Sequence, residues 1–265
     1  MGAIRPPAVA GTFYPKDADH LRATVESFLA AANGAKADRL PKAVIAPHAG
    51  YVYSGPVAGH AFAALGERAA AVGRVVVIGP AHFVPVRGLA APSVGAFRTP
   101  LGDVRIDAEA IASACELPQV ELADAPHQPE HALEVELPFL QAIVGAFALV
   151  SLVVGAAAPR EVAAVLDRLW GGPETLIVIS SDLSHYEAYE RAKAHDAATA
   201  AAIERFDDAA LGPGDACGYL PIAGLLIEAG RRGMQALRLD LRNSGDTAGS
   251  KDRVVGYGAW ALYET

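Results

Sequence analysis

Twice in this chain a short apolar run is closed by a proline and followed within two residues by a histidine. The first is KAVIAPHAGYVYSG at Lys42–Gly55 and the second is RVVVIGPAHF at Arg74–Phe83. Ala43 to Ala46 and Val75 to Ile78 are too short for helices and carry no polar side chain, the pattern of strands buried on both faces. Between them Pro56 to Ala71 is rich in alanine, and its early proline suits the first turn of a helix. A strand, a helix and a second strand in one sheet form a right-handed crossover with parallel strands. The two strands are therefore expected side by side, with His48 and His82 leaving the sheet at their carboxyl ends, where open α/β sheets bind ligands. Two imidazoles converging there point to a metal or to catalysis. Two loop histidines bonded to backbone are the plainer alternative.

The rest of the chain repeats the alternation. Arg5 to Pro15 is too proline-rich for regular structure. Asp17 to Asn33 is an amphipathic helix with Leu21, Val25, Phe28 and Leu29 on one stripe. Val84 to Ile106 has short apolar runs broken by Pro and Gly and predicts a hairpin or loop excursion. Asp107 supplies the N-cap of a helix to about Glu116, and a polar loop from Asp124 passes into a helix at about Glu130. Strands follow at Phe147 to Val154, Thr175 to Ser180, Ala236 to Leu241 and Val254 to Tyr263. Helices are expected at Pro159 to Trp170, Tyr189 to Phe206 and Tyr219 to Ala229. This order predicts one α/β domain over residues 1–265, a three-layer sandwich.

Composition narrows the function. The formal net charge is −8, which argues against nucleic acid, a ligand that wants a basic face. With hydrophobic residues at 52% there is ample material for a large core. The longest apolar stretch, Ala142 to Ala158, holds two glycines and a serine and is short of a membrane span. The N-terminus lacks an apolar signal core, and Cys115 and Cys217 cannot make a disulfide framework. A soluble cytoplasmic protein is the expectation, with no membrane or nucleic-acid partner.

Other residues compete for a chemical role. His185 ends a third strand and turn, three residues after Asp182, and is placed to act as a general base. Helix capping by Asp182 or Ser184 with an idle His185 explains the spacing equally well. Cys217 sits in a Gly-rich loop before a helix, where amides and the dipole favour thiolate. Cys115, inside a helical stretch, reads as a small buried thiol. Cys217 is thus either a nucleophile or a soft metal ligand. His131 and Glu134 lie one turn apart at the expected helix start, within reach of the cleft, although a solvated helix start accounts for Glu134. Tyr51 and Tyr53 are candidates for the cleft wall. His127 reads as a loop histidine, and His20, His60 and His195 as helix residues at the surface or in the core.

The segments PHAGYVYSG at Pro47–Gly55, GPAH at Gly79–His82, EHALE at Glu130–Glu134, SSDLSH at Ser180–His185 and CGYLPI at Cys217–Ile222 together resemble the MEMO family. Its prokaryotic members are called AmmeMemoRadiSam system protein B. The opening RPPAVAGTFY at Arg5–Tyr14 and the closing NSGD at Asn243–Asp246 also match, so the resemblance spans nearly the whole chain. That family is similar in turn to the class III extradiol dioxygenases, non-haem iron enzymes that open catechol rings. The resemblance implies a three-layer αβα sandwich around a mostly parallel mixed sheet. It puts His48 and His82 on the two histidine ligands, His185 on the acid–base histidine, and Cys217 on the MEMO cysteine where the dioxygenases use a glutamate. His131, Glu134, Tyr51, Tyr53 and Asp246 then line the cleft or stand behind the ligands. Exchanging carboxylate for thiolate shifts metal preference from iron toward copper or zinc.

Three functions are consistent with this reading. The first is a metal-dependent oxidoreductase in which His48, His82 and Cys217 hold iron or copper, zinc being possible, while His185, oriented by Asp182, moves protons. The second is a non-catalytic module whose dioxygenase-like cleft takes a small molecule or a peptide. For either, the family's system name implies AMMECR-type and radical SAM proteins as partners. The third is a thiol hydrolase with Cys217 as nucleophile and His48 or His185 as base.

Overall fold

The computed structural model describes residues 2–32 and 39–265, so the expected helix end at Asn33 lies outside the described residues. The first half contains β1 (Ile4–Arg5), α1 (Ala18–Ala31), β2 (Ala43–Ala46), α2 (Tyr51–Ala63), β3 (Arg74–Pro80), β4 (Leu89–Ala91), β5 (Ala96–Thr99) and β6 (Gly102–Arg105). Then follow α3 (Ala108–Ala114), β7 (Val120–Leu122), α4 (Leu137–Ile143), β8 (Ala148–Val154), α5 (Pro159–Leu169), β9 (Thr175–Ser180) and β10 (His185–Glu187). The chain closes with α6 (Tyr189–Glu204), α7 (Tyr219–Arg231), β11 (Gln235–Asn243), α8 (Ser244–Thr247) and β12 (Val254–Tyr263).

The large sheet runs β10-β12-β2-β9-β3-β8-β4-β7, with β11 also paired to β12. Its centre, β2-β9-β3-β8, is parallel, while β12 meets β2 and β4 meets β8 antiparallel. Every residue of β2 and β9 is buried, as their unbroken apolar runs require. Here the expectation needs correcting: β2 and β3 are parallel but not neighbours, because β9 lies between them. The crossover from β2 to β3 runs one way along the sheet, and the crossover from β8 back to β9 runs the other way. Right-handedness then puts α2 and α5 on opposite faces. Accordingly α2 packs on β2 and β12 with α1 and α4 beside it, whereas α7 packs on β3 and β9 with α5 against it. This is the expected three-layer architecture, and the reversal of winding opens a crevice at the strand ends.

Two helix starts differ from expectation. The helix after β2 begins at Tyr51, leaving Pro56 inside it, and ends at Ala63; residues 66–71 form a separate 3₁₀ turn. Proline in a helix interior normally costs stability, but tertiary contacts fix this helix from both ends of the turn. The Tyr51 amide donates to Phe13 O at 2.8 Å. Gly55 and Gly59 let α1 approach closely, since a Cβ at Gly55 would fall 2.4 Å from the Phe28 ring. The second helix starts at Leu137, and residues 130–136 are turns. Pro138 marks that start, because it suits a first turn and would clash inside a helix begun at Glu130.

The excursion after β3 contributes β4 to the large sheet and the β5–β6 hairpin to a small one, in which β1 pairs parallel with β5. Asp107 caps α3 as expected, accepting from the Ala110 amide at 3.0 Å. Among the described residues no helix is long and apolar enough to cross a membrane.

Candidate metal centre

The end of β9 lies between the ends of β2 and β3, and its polar residues brace the first histidine. Asp182 Oδ1 accepts from the amides of His48 at 2.8 Å and Ala49 at 3.3 Å. Ser180 Oγ lies 2.8 Å from His48 Nδ1. Beyond β3, Glu130 performs the equivalent service with a carboxylate. Its Oε2 accepts from the His82 amide at 2.7 Å, and its Oε1 lies 2.8 Å from His82 Nδ1 and accepts from the Ala132 amide at 2.9 Å.

The same turn delivers a third imidazole. His131 stacks on His82 with ring centroids 4.6 Å apart and meets His48 edge-on at 5.3 Å. One ligand nitrogen from each of His48, His82 and His131 lies within 4.8 Å of the others. Phe13 and Phe83 flank the His131 ring at 4.7 and 5.7 Å. A buried ion pair holds this turn: Arg5 Nη1 donates to Glu134 Oε2 at 2.6 Å, and Arg5 also donates to the carbonyls of His127 and Glu130. Glu134 further accepts from the amides of Ala8 and Val9 and from the Tyr14 hydroxyl.

Burial and the neighbouring imidazoles push the His48 pKa well below its ordinary value. Burial pushes His131 down to about 4, against the opposing charge of Glu130. Both are therefore neutral near pH 7, with a lone pair available to a cation. Burial works against ionisation of Glu130, yet the bonds from His82 and Ala132 hold its carboxyl below the ordinary value. Asp182 is pushed up to about 7 by burial, against the two amides it accepts from.

The remaining candidates fall into different places. Cys217 Sγ stands 3.3 Å from His48 Nε2, beside the three-histidine cluster. Against the expected thiolate, burial and the nearby Asp182 charge push this thiol up to about 12, outweighing its bonds with the Asp182 backbone, Ser181 and the Gly218 backbone. His185 lies on exposed β10, and its pKa is lowered by partial burial and by the charge of His82. Asp182 is turned to the His48 loop, and among the described residues no hydrogen bond joins it to His185. Glu134 is fully buried, so the solvated helix start is wrong for it. Tyr51 is buried in α2, donates to Val135 O at 2.8 Å, and borders a separate cleft lined also by Phe13, Lys16, His20 and Val52. Tyr53 is exposed. Asp246 completes the capping box of α8 begun by Asn243 and accepts from Tyr189 at 2.5 Å. His195 bridges Glu187 and Asp215.

Sequence reasoning gave no role to Glu130, Ser180, Glu136 or Arg5. A signal existed for Ser180, a hydroxyl ending a strand buried on both faces, and for Arg5, a charge in an otherwise apolar opening. The donor set suits a transition metal. Two of its three imidazoles are held neutral by burial, and His131 Nδ1 is buried with no hydrogen-bond partner, 3.4 Å from Glu130 Oε1. Imidazole is a ligand for zinc, copper, iron and nickel alike.

Comparison with known proteins agrees with the motifs. The family described as "Memo-like protein" matches residues 5–261. A MEMO1 family protein of Aeropyrum pernix is 39% identical, covering 97% of this chain and 98% of its own length. Relatives of the same description from Sulfolobus acidocaldarius and Aquifex aeolicus are 33% and 34% identical, each covering 96% of this chain and 97% of its own length. A solved structure of an uncharacterized Escherichia coli K12 protein aligns over 83% of this chain and 99% of that one, at a TM-score of 0.47 and 14% identity, too slight a likeness to argue from.

Proposed function

The chain belongs to the Memo-like protein family, and we propose that it is a metal-dependent oxidoreductase acting on a small organic ligand or peptide at the ends of β2, β9 and β3. The observation that carries this reading is the convergence of His48, His82 and His131 within 4.8 Å at the switch in sheet winding. A bound iron or copper ion would supply electron transfer and oxygen activation, chemistry that no side chain here provides. Zinc fits the same nitrogens and is the redox-silent alternative.

The chain's own residues hold and orient. Glu130 and Ser180 bond the Nδ1 atoms of His82 and His48, which leaves each Nε2 for the cation. Asp182 fixes the His48 loop, while Phe13 and Phe83 shield the His131 ring. His185, exposed beside the cluster, is the proton donor or acceptor for a ligand in the cleft. His131 completes the three-nitrogen set by position, and Cys217, beside His48 Nε2, is a further donor whose thiol a bound cation would deprotonate.

Metal analysis of protein purified without added metal tests this reading, alongside a His48→Ala, His82→Ala double variant. About one transition-metal ion per chain is expected in the wild type and none in the variant. At pH 7, His131→Ala should weaken metal binding more than Cys217→Ala. Wild-type protein that neither carries metal nor binds added Fe2+, Cu+ or Zn2+ overturns the proposal. Metal without oxygen uptake against a panel of catechols and other phenols would leave a binding site but remove the oxidoreductase assignment.

A further inference from the structure

Behind His48 lies a carboxyl group that nothing above uses. Glu136 is fully buried; its Oε1 is 2.7 Å from Ser180 Oγ, and its Oε2 has no hydrogen-bond partner. Among the described residues Glu136 forms no ion pair. The titratable groups facing it are Asp182 beyond β9, Tyr51 on α2 and, through Ser180, His48. Burial pushes its pKa well above the ordinary carboxylate value.

Counting protons around Ser180 fixes the rest. Its hydroxyl oxygen has three close partners: Ala132 O at 2.6 Å, Glu136 Oε1 at 2.7 Å and His48 Nδ1 at 2.8 Å. Ala132 O can only accept, and a serine has one proton to give. That proton goes to Ala132 O, so the other two partners must donate. His48 then carries its proton on Nδ1, and Glu136 is a neutral acid with its proton on Oε1. The alternative, a Ser180 proton given to a Glu136 carboxylate, would leave two buried oxygens 2.6 Å apart with no proton between them. It would also leave an anion buried without a cation. The Cys217 sulfur, 3.3 Å from His48 Nε2, agrees with this arrangement, since a protonated thiol donates to a bare Nε2.

We propose that Glu136, acting through Ser180, is a positioning acid for this site: it locks His48 with Nε2 open to the cleft, and it releases its proton when a cation binds there. The inference rests on His48 as a ligand. A cation on Nε2 makes the Nδ1–H a stronger donor and supplies the countercharge missing from the metal-free site, so Ser180 can turn its own proton from Ala132 O to a Glu136 carboxylate while the 2.6 Å contact to Ala132 O lengthens. The O–H bond of Glu136 breaks, the proton passes to bulk water, and the new carboxylate partly offsets the added positive charge. Glu136 touches neither metal nor substrate.

Two measurements test this. The first is proton release on Zn2+ binding at pH 7, by calorimetry in buffers of different ionisation enthalpy, for the wild type and Glu136→Gln. The wild type should release about one more proton per Zn2+ than the variant, and its affinity should rise about tenfold more per pH unit. Equal release in the two proteins overturns the proton-release claim. The second uses nitrogen NMR spectra of 15N-histidine-labelled, metal-free protein. His48 should be protonated on Nδ1 in the wild type and in Glu136→Gln, whose amide still donates to Ser180, but not uniformly in Glu136→Leu. An unchanged His48 signal in Glu136→Leu would show that Glu136 only fills space. If the wild type fails to bind Zn2+, the proposed function and the proton release fall together. The nitrogen spectra still decide whether Glu136 sets the tautomer.

Discussion

His48 and His82 occupy equivalent places, each just past the end of a parallel strand flanking β9, yet they are held by opposite chemistry. His48 is fully buried, and its Nδ1 meets a hydroxyl backed by the Glu136 carboxyl, whose pKa burial raises. His82 is about a quarter exposed, and its Nδ1 meets the Glu130 carboxylate directly. Where water can reach the ring, an anion supports it cheaply. Where it cannot, an uncompensated anion is too costly, and a chain of neutral hydrogen bonds takes its place. The comparison teaches that one cleft presents an imidazole backed by a carboxylate and another backed by a hydroxyl, and a carboxylate behind a histidine strengthens it as a ligand. Glu130, which holds His82, and Glu136, which stands behind Ser180, both lie in the turn at residues 130–136, pinned by the Arg5–Glu134 pair.

Breaking that shared turn should have the largest effect. Glu134→Ala leaves Arg5 buried without its partner and is expected to cost about 3–5 kcal/mol of folding stability, measured by chemical denaturation. A loss below 1 kcal/mol would mean the N-terminal arm does not hold the turn. Next comes the ionic side of the comparison: Glu130→Gln should lower metal affinity about 10–100-fold with the fold intact. On the neutral side, Ser180→Ala should lower it less. Reversal of that order in a titration would erase the distinction between the two supports. The smallest expected effect is on pH. His131, and equally the buried His127, have folded pKa values near 4, below the ordinary 6.5. The unfolded chain therefore binds protons first, and stability is full above about pH 6.5 and declines as pH falls toward 4, by about 2 kcal/mol per group at pH 5. Replacing His131 with Asn should flatten that decline in denaturation midpoints, and an unchanged slope would place its titration elsewhere.

Much of this architecture was legible in the residues. The buried strands announced themselves as unbroken apolar runs, and Asp107 announced its cap. The insertion of β9 between β2 and β3 was not legible, because an apolar run carries no record of which neighbour it pairs with. His131 and Glu134 looked like one face of a helix begun at Glu130 through their spacing. They form a turn instead, because Pro138 forces the helix to start at Leu137 and because all three side chains are claimed by distant segments. Arg5 reaches Glu134 across 129 positions of sequence, a pairing no local pattern reveals. For Cys217, loop and dipole argue for ionisation, whereas burial, invisible in a Gly-rich loop, raises the thiol.

The most direct test of the account is anomalous diffraction at the zinc absorption edge from crystals equilibrated with Zn2+ at pH 7. The account predicts one strong peak among His48, His82 and His131, about 2.0–2.1 Å from a nitrogen of each. No peak, or a peak bound by fewer than two of these imidazoles, would contradict it.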